Sequence, residues 1–215
     1  MGVGEPTRLI AIRHGETAWN AETRLQGQID IPLNALGTRQ AASLAGALRD
    51  EGLQVVYASD LGRAWLTAQA LAGPLGLPLQ ADAGLRERAF GQLEGHTYAQ
   101  IDTQWPELAR RWRTREPGWA PIGGESLLAF ADRCLGAITR LAGAHPGQAI
   151  AVVCHGGVLD CLYRAATRVP LDLPRSWPLG NAAINRLLYT PQGFSLIGWN
   201  DSAHLDSLAL DEGSA

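Results

Sequence analysis

The sequence contains no lysine: all 18 basic residues are arginine, against 21 acidic residues and a formal net charge of −3. Without a lysine amine the chain cannot form a Schiff base, attach pyridoxal phosphate or build the lysine-containing P-loop. Any bound anion must therefore be held by guanidinium groups or by backbone amides. The small negative charge provides no field that would attract nucleic acid or an anionic membrane, so we expect neither as a partner.

Cysteine and long apolar runs are also scarce. The three cysteines, Cys134, Cys154 and Cys161, have no CxxC spacing, which disfavours a disulfide scaffold or a zinc site. No apolar run approaches the roughly 20 residues needed to cross a bilayer. Residues 1–8 lack the basic start and apolar stretch of a secretion signal. We therefore expect a cytoplasmic protein with reduced, buried thiols and no membrane partner.

The pattern of apolar residues predicts an α/β fold. Apolar or β-branched runs predict strands at residues 8–12, 53–59, 77–80, 149–154, 183–190 and 194–199. Helical spacing predicts helices over 37–50, 61–75, 127–141 and 157–167, and an irregular helix over 97–115 that is interrupted at Pro106. This alternation predicts a single domain over 1–215, with a mostly parallel sheet between two helical layers and a small helical cap at about 92–123.

Three of the predicted strands end in glycine-containing segments that carry histidine or arginine. These segments are Arg13-His14-Gly15, Asp60-Leu61-Gly62-Arg63 and His155-Gly156-Gly157. Because the carboxyl ends of parallel strands lie at one edge of a sheet, we expect these side chains to meet there. Two guanidinium groups with nearby backbone amides bind a compact oxyanion, and a phosphoryl group fits them best.

A neutral imidazole inside such a pocket can attack phosphorus and form a phosphohistidine. Arginine side chains would then stabilise the charge that develops on the phosphoryl oxygens. A carboxylic acid must protonate the leaving oxygen and later activate water, and Glu87, between Arg86 and Arg88, is the candidate. This chemistry requires no metal or other cofactor, and no third ligand lies at metal-binding spacing from His14 and His155.

These segments resemble, in order, the sequence blocks of the histidine phosphatase superfamily, in its phosphoglycerate mutase-like branch. The blocks are residues 13–20 with 26–27, residues 59–64 with 67–68, residues 85–95, residues 123–126 and residues 155–157. The resemblance as a whole extends from residue 8 to about residue 205, which is nearly the whole chain. The resemblance implies the three-layer fold of that family and phosphoryl transfer through a histidine.

The resemblance implies catalytic roles for five residues. His14 would be the phosphorylated nucleophile, and Glu87 would be the proton donor and later the base. Arg13, Arg63 and His155 would hold the phosphate.

Four further residues are assigned to substrate binding. Asn20 would add a hydrogen bond to the phosphate, and Gln26 and Gly27 would meet the non-reacting part of the substrate. Gly156 completes this set. The expected ligand is a small-molecule phosphate monoester, and inorganic phosphate or another oxyanion would occupy the same pocket.

Members of this family differ in what resolves the phosphohistidine, which is water in a phosphatase and a bound monophosphate in a mutase. Mutases that this chain resembles carry a lysine shortly after the third block and a longer insertion before the fourth. The lack of both favours a phosphomonoester hydrolase. Residues 110–115 are similar to an arginine pair of the mutases, so a 2,3-bisphosphoglycerate-dependent phosphoglycerate mutase stays open, as does an inactive phosphoester-binding protein.

Several residues also have purely structural interpretations. Residues 110–115 could form a solvated helix face or a lid that reaches a second anionic group on the substrate. Asn20 could cap a turn, Glu87 could pair with a neighbouring arginine, and His204 could lie at the surface. The tryptophans that could line a vestibule or pack in the core are Trp19, Trp105, Trp112 and Trp119.

Overall fold

The computed structural model describes residues 5–206 and residue 208. Within them, one sheet contains β1 (Thr7–Arg13), β2 (Leu53–Ala58), β3 (Leu79–Ala81), β4 (Ala149–Cys154), β5 (Ile184–Thr190) and β6 (Gly193–Asp201). The strand order is β3-β2-β4-β1-β5-β6. Pairs β3–β2, β2–β4 and β4–β1 are parallel, whereas β1–β5 and β5–β6 are antiparallel. The prediction of a mostly parallel sheet is confirmed, with an antiparallel pair at one edge.

The described helices are α1 (Ala18–Ala21), α2 (Ala35–Ala47), α3 (Gly62–Leu75), α4 (Tyr98–Gln104), α5 (Pro106–Arg113), α6 (Leu127–Gly143) and α7 (Gly156–Thr167). Short 3-10 helices occur at Arg49–Glu51, Ala83–Leu85, Gly91–Leu93 and Ala203–Leu205. None of the described helices combines the length and the apolar composition that crossing a membrane requires.

The predicted irregular helix over 97–115 is two helices that meet at Pro106. Trp105 has φ −139° and ψ 67°, and Pro106 is the first residue of α5. A proline restricts the residue before it to extended backbone, and it suits the first helical position because its missing N–H has no partner there. The interruption predicted at Pro106 is therefore a helix start rather than a kink.

The strand β1 illustrates how the sheet is covered on both faces. Leu9 and Ala11 belong to a buried cluster with α6 and α7, whereas Ile10 and Ile12 belong to a second cluster with α2 and α3. This alternation follows from the two-residue period of a strand. All six residues of β4 are buried, as expected for a central strand. The three-layer arrangement predicted from the sequence is thus confirmed.

The segment that contains α4 and α5 packs around a small cluster of its own. Leu25, Leu93, Ile101, Ala109 and Trp119 form it. An isolated bridge between Arg24 and Thr97 joins the segment to an earlier part of the chain, and a second, between Phe90 and Gly124, joins its two flanks. Its extent as a cap over 92–123 stays a prediction, as does the single domain over 1–215, of which residues 1–4, 207 and 209–215 lie outside the described part.

Candidate active site

The carboxyl ends of β1, β2 and β4 open onto one cavity of about 670 Å³. Nearly all the residues singled out in the sequence line it: Arg13, His14, Asn20, Gln26, Gly27, Arg63, Glu87 and Gly156. His155 does not line it, and its ring lies 5.1 Å from the ring of His14, centroid to centroid. The structure therefore brings together residues that are up to 143 positions apart in sequence because neighbouring parallel strands end at the same edge.

His14 is held so that one ring nitrogen is left for chemistry. Its backbone amide donates to the carbonyl of Cys154 (3.0 Å), which continues the pairing of β1 with β4. Nδ1 lies 2.7 Å from the carbonyl oxygen of Gly15, and since a carbonyl only accepts, the proton belongs on Nδ1. Burial, together with the charges of Arg13 and Arg63, lowers the pKa of His14 well below its ordinary value. The ring is therefore neutral, with its lone pair on Nε2.

Arg13 and Arg63 are anchored by backbone carbonyls on one side only. Arg63, in the first turn of α3, donates to Ile29 (2.8 Å) and Gly27 (2.7 Å), and Arg13 donates to Leu179. The buried Nε of each has no partner, and within the described residues neither guanidinium forms an ion pair. Burial lowers the pKa of both groups. Two buried, unpaired cations beside one imidazole form a site for an anion.

Glu87 is oriented by backbone amides. Its Oε1 accepts from Arg88 N (2.8 Å) and its Oε2 from Gly157 N (2.9 Å). The Gly157 amide is one of the unpaired N–H groups at the start of α7, and a Cβ on Gly157 would lie 2.2 Å from Glu87 Oε1. The alternative in which Glu87 pairs with a neighbouring arginine is wrong, because Arg86 pairs with Asp60 instead and Arg88 donates to backbone carbonyls.

His155 is the N-cap residue of α7 and is fully buried. Neither ring nitrogen has a hydrogen-bond partner among the described residues. Burial, followed by the charge of Arg63, lowers the pKa of His155 well below its ordinary value. A neutral buried ring with two unpaired nitrogens costs stability unless a bound ligand forms hydrogen bonds with it. Since the ring lies beside His14, a ligand that contacts His14 can also reach His155.

Asn20 takes part in the cap of α1, as one of the two interpretations of the sequence expected, and its hydrogen bond to a phosphate stays a prediction. Its Oδ1 accepts from the amide (3.1 Å) and hydroxyl (3.0 Å) of Thr17, which caps α1. Because its oxygen is occupied, the amide NH₂ is the group that Asn20 can offer to a ligand in the cavity. Gln26 is buried, with Oε1 unpartnered. Gly27 has φ +54° and supplies the carbonyl that holds Arg63.

The rest of the cavity has aromatic and basic walls. We call the part formed by Arg13, His14, Arg63 and Glu87 the inner end. We call the part formed by residues of α4 and α5 and by residues 174–179 the outer end. The outer end includes Tyr98, Trp112, Arg113, Arg175 and Trp177.

Two of the four tryptophans proposed for a vestibule line the cavity. These are Trp19 and Trp112, whereas Trp105 and Trp119 pack with the small cluster of the α4–α5 segment. Sequence reasoning missed Arg175 and Trp177. The only signal for them was an arginine and an aromatic residue in a proline-containing stretch without helical or strand periodicity.

The basic run at residues 110–115 is divided between the two interpretations. Arg110 and Arg111 form surface ion pairs with Glu107 and Glu116, as expected for a solvated face. Arg113 and Arg115 line the cavity, but each already pairs with an acidic residue, Asp102 and Asp160 respectively. In contrast, Arg175 is exposed, lines the cavity and has no ion pair within the described residues.

Three remaining questions from the sequence concern Cys154, His204 and a possible metal site. Cys154 is buried, and burial raises the pKa of its thiol, so it is a core residue rather than a nucleophile. His204 does not line the cavity. Over the described part of the chain, no group of three or more His, Cys, Asp or Glu side chains could hold a metal ion.

Comparison with known proteins identifies the family of this chain. Residues 9–202 match the model of the histidine phosphatase superfamily, branch 1. The chain belongs to the histidine phosphatase superfamily. The predicted resemblance is therefore confirmed.

Relatives within the histidine phosphatase superfamily include both mutase-like proteins and phosphatases. The chain is 36% identical to phosphoglycerate mutase-like protein 4 of Arabidopsis thaliana, over 92% of this chain and 86% of that protein. It is 34% identical to a mycobacterial glucosyl-3-phosphoglycerate phosphatase solved with vanadate, with a TM-score of 0.79 over 91% of this chain and 99% of that one. A phosphoserine phosphatase of Entamoeba histolytica is 27% identical, with a TM-score of 0.82 over 93% and 99%.

Proposed function

We propose that the protein hydrolyses small-molecule phosphate monoesters through a phosphohistidine on His14. The observation that carries this proposal is the orientation of the His14 ring: Nδ1 is engaged by Gly15, so the neutral ring keeps its Nε2 lone pair free. The charges of Arg13 and Arg63 act on this ring, and neither arginine forms an ion pair within the described residues. That geometry provides a nucleophile together with counter-charges for the phosphoryl oxygens.

The reaction has two steps. Nε2 of His14 attacks phosphorus, the bond to the ester oxygen breaks, and Glu87 gives that oxygen its proton. A water molecule then attacks the phosphohistidine while the Glu87 carboxylate takes the water proton. Inorganic phosphate leaves, and both residues return to their starting states. Arg13 and Arg63 bind the phosphoryl oxygens throughout.

The choice of water over a second substrate as acceptor is part of the proposal. It is supported by the absence of lysine and by a cavity of about 670 Å³, which holds a phosphate group with ample room for water. The mutase-like relative keeps the phosphoglycerate mutase as the second candidate. Interconversion of 3- and 2-phosphoglycerate that depends on 2,3-bisphosphoglycerate, at a rate exceeding phosphate release, would establish the mutase instead.

We further propose that preferred substrates carry a second anionic group. Arg175 is the exposed guanidinium on the cavity wall that has no carboxylate partner in the described chain, and an unpaired cation at this position favours an anion on the ligand. Glucosyl-3-phosphoglycerate and phosphoserine, the substrates named for two related phosphatases, each bear a carboxylate beside the phosphate.

The nucleophile is tested with His14→Ala and radiolabelled substrate. We expect phosphate release from p-nitrophenyl phosphate to fall by at least about 10³-fold, because no other group at the inner end can replace Nε2. Acid-labile, base-stable label on the protein should disappear with it. His145→Ala is the matched control, since His145 bonds Tyr57 and Gln148 away from the cavity. Retention of a tenth of the activity by a folded His14→Ala variant would overturn the proposal.

A further inference from the structure

The segment that carries Glu87 has little regular structure to hold it. It runs between the 3-10 helices Ala83–Leu85 and Gly91–Leu93, and residues 86–89 belong to no helix or strand. Backbone groups there have no ladder partners, so other groups must satisfy and fix them. The position of the Glu87 carboxylate therefore depends on what holds this stretch of backbone.

Arg133 of α6 bonds to much of this segment. Its Nη1 donates to the carbonyls of Gly84 (3.0 Å) and Arg86 (3.0 Å), and its Nη2 donates to the carbonyl of Glu87 itself (3.3 Å). The remaining two bonds go to the Glu125 carboxylate, from Nε (2.8 Å) and Nη2 (2.7 Å). These are five bonds from the five N–H donors of a guanidinium, so the whole group is used.

Glu125 holds the other end of the same segment. Its Oε2 also accepts from the amide of Ala89 (2.9 Å), and its backbone pairs with the same residue through Glu125 N and Ala89 O (2.9 Å). Its carbonyl accepts from Arg88 Nε (2.8 Å). Thus Arg133 and Glu125 together bond to the backbone on both sides of Glu87.

Neither Arg133 nor Glu125 lines the cavity, so neither can touch a substrate there. We propose that the Arg133–Glu125 pair positions Glu87 as the proton donor to the leaving oxygen. This inference rests on the proposed hydrolysis, in which Glu87 is that donor. A side chain displaced by as little as 1 Å loses most of its value in proton transfer, because the transfer requires hydrogen-bond distance.

Arg133 and Glu125 are both charged at neutral pH. Burial alone would raise the pKa of Glu125, but the hydrogen bond from Arg133 and the amide of Ala89 bring it below its ordinary value. The bidentate contact therefore joins two charged groups at neutral pH.

The test compares two esters with different leaving groups. Glycerol phosphate has a poor, alkoxide leaving group that needs a proton donor, whereas p-nitrophenyl phosphate has a good one that needs little help. The measured quantity is kcat/KM, which reports the first phosphoryl transfer to His14. We expect Arg133→Ala to lower it at least ten-fold for glycerol phosphate and less than three-fold for p-nitrophenyl phosphate. A purely structural loss would affect both esters equally.

Two variants serve as references. Arg140→Ala, on the same helix, removes an exposed arginine that pairs with Asp82 and does not contact residues 84–89; it should leave both values unchanged. Glu87→Gln should show the same dependence on leaving group as Arg133→Ala, and adding Arg133→Ala to it should cause no further selective loss. Arg133→Gln replaces Arg133→Ala if the latter does not fold.

The outcomes separate this inference from the proposed function. If Glu87→Gln discriminates between the two esters and the Arg133 variants do not, the positioning role is wrong while the role of Glu87 stands. If Glu87→Gln itself shows no such discrimination, the proposed proton donor is wrong. Equal losses on both esters in the Arg133 variants would also overturn the positioning role.

Discussion

The two ends of the cavity are constructed differently. At the inner end, Arg13, His14 and Arg63 come from strand ends and a first helical turn, and backbone hydrogen bonds orient each of them. At the outer end, the walls come from two short helices and an irregular stretch, where Arg113 forms an exposed ion pair and Arg175 forms none within the described residues. Backbone contacts therefore fix the side chains of the inner end, whereas the outer end has exposed groups that can adapt to different ligands.

After the loss of the His14 nucleophile, the largest expected effect is also at the inner end, where one added methyl group should displace Glu87. A Cβ on Gly157 would lie 2.2 Å from Glu87 Oε1, whereas a Cβ on Gly136 of α6 would meet no atom within 4 Å. We expect Gly157→Ala to lower kcat/KM by about 10²-fold or more, and Gly136→Ala, the control away from the cavity, to change it less than three-fold.

This pair tests how rigid the inner end is. Steady-state kinetics with glycerol phosphate measure the loss, and competition by inorganic phosphate checks that the phosphate position is intact in Gly157→Ala. If both alanine variants keep full activity, catalysis tolerates a displaced Glu87 carboxylate. The description of the inner end as rigid would then be wrong.

The next effect is a pH dependence of stability that should come from the inner end. The pKa values of His14 and His155 are lowered in the folded protein, so below pH 6.5 the unfolded chain binds more protons than the folded one. Their stabilising contribution is complete above the unfolded pKa and is lost as pH falls below it. Each should cost about 1.4 kcal/mol per pH unit until its folded pKa is reached.

Urea unfolding at pH 7.5 and pH 5.5 measures this dependence. His155→Asn should flatten it, and so should inorganic phosphate, whose charge stabilises the protonated rings. The surface pair Glu107–Arg110 should contribute nothing over this range, because the hydrogen bond from Arg110 lowers the pKa of Glu107 and keeps it charged. An unchanged slope in the His14→Asn, His155→Asn double variant would contradict the assignment.

The smallest effect is expected at the outer end. Arg175→Ala should raise KM for 3-phosphoglycerate about five-fold, which corresponds to about 1 kcal/mol for an exposed charge contact, and should leave KM for glycerol phosphate unchanged. Arg110→Ala is the matched control because Arg110 is exposed and does not line the cavity. Equal KM changes for the two substrates would show that Arg175 does not recognise the carboxylate.

What could be predicted from the sequence follows the same division. The strands follow local signals, and so do Arg13, His14 and Arg63: a buried apolar run, then a histidine or an arginine beside glycine, and then a helix. The ring direction of His155 could not be predicted, since sequence specifies where a strand ends but not which way a side chain turns from it. Nor could the contact of Arg133 with the segment around Glu87, which joins positions 46 residues apart through α6.

The outer end could not be predicted for a different reason. Arg110 pairs with Glu107 within α5, Arg113 pairs with Asp102 of α4, and Arg115 follows α5 with φ +50°, so one basic run divides among three surroundings. Arg175 and Trp177 lie in a stretch without periodicity, and no local pattern indicates that it returns to the cavity wall.

The hydrogen bond from Arg13 to the carbonyl of Leu179 links the two ends mechanically. Leu179 is four residues from Arg175, so a ligand that draws Arg175 inward would also pull on the backbone that anchors Arg13. Divergence of substrate preference by changes in this loop would then alter turnover as well as affinity. Substitutions in residues 174–179 that change the preferred substrate would therefore also have to preserve the hydrogen bond that holds Arg13.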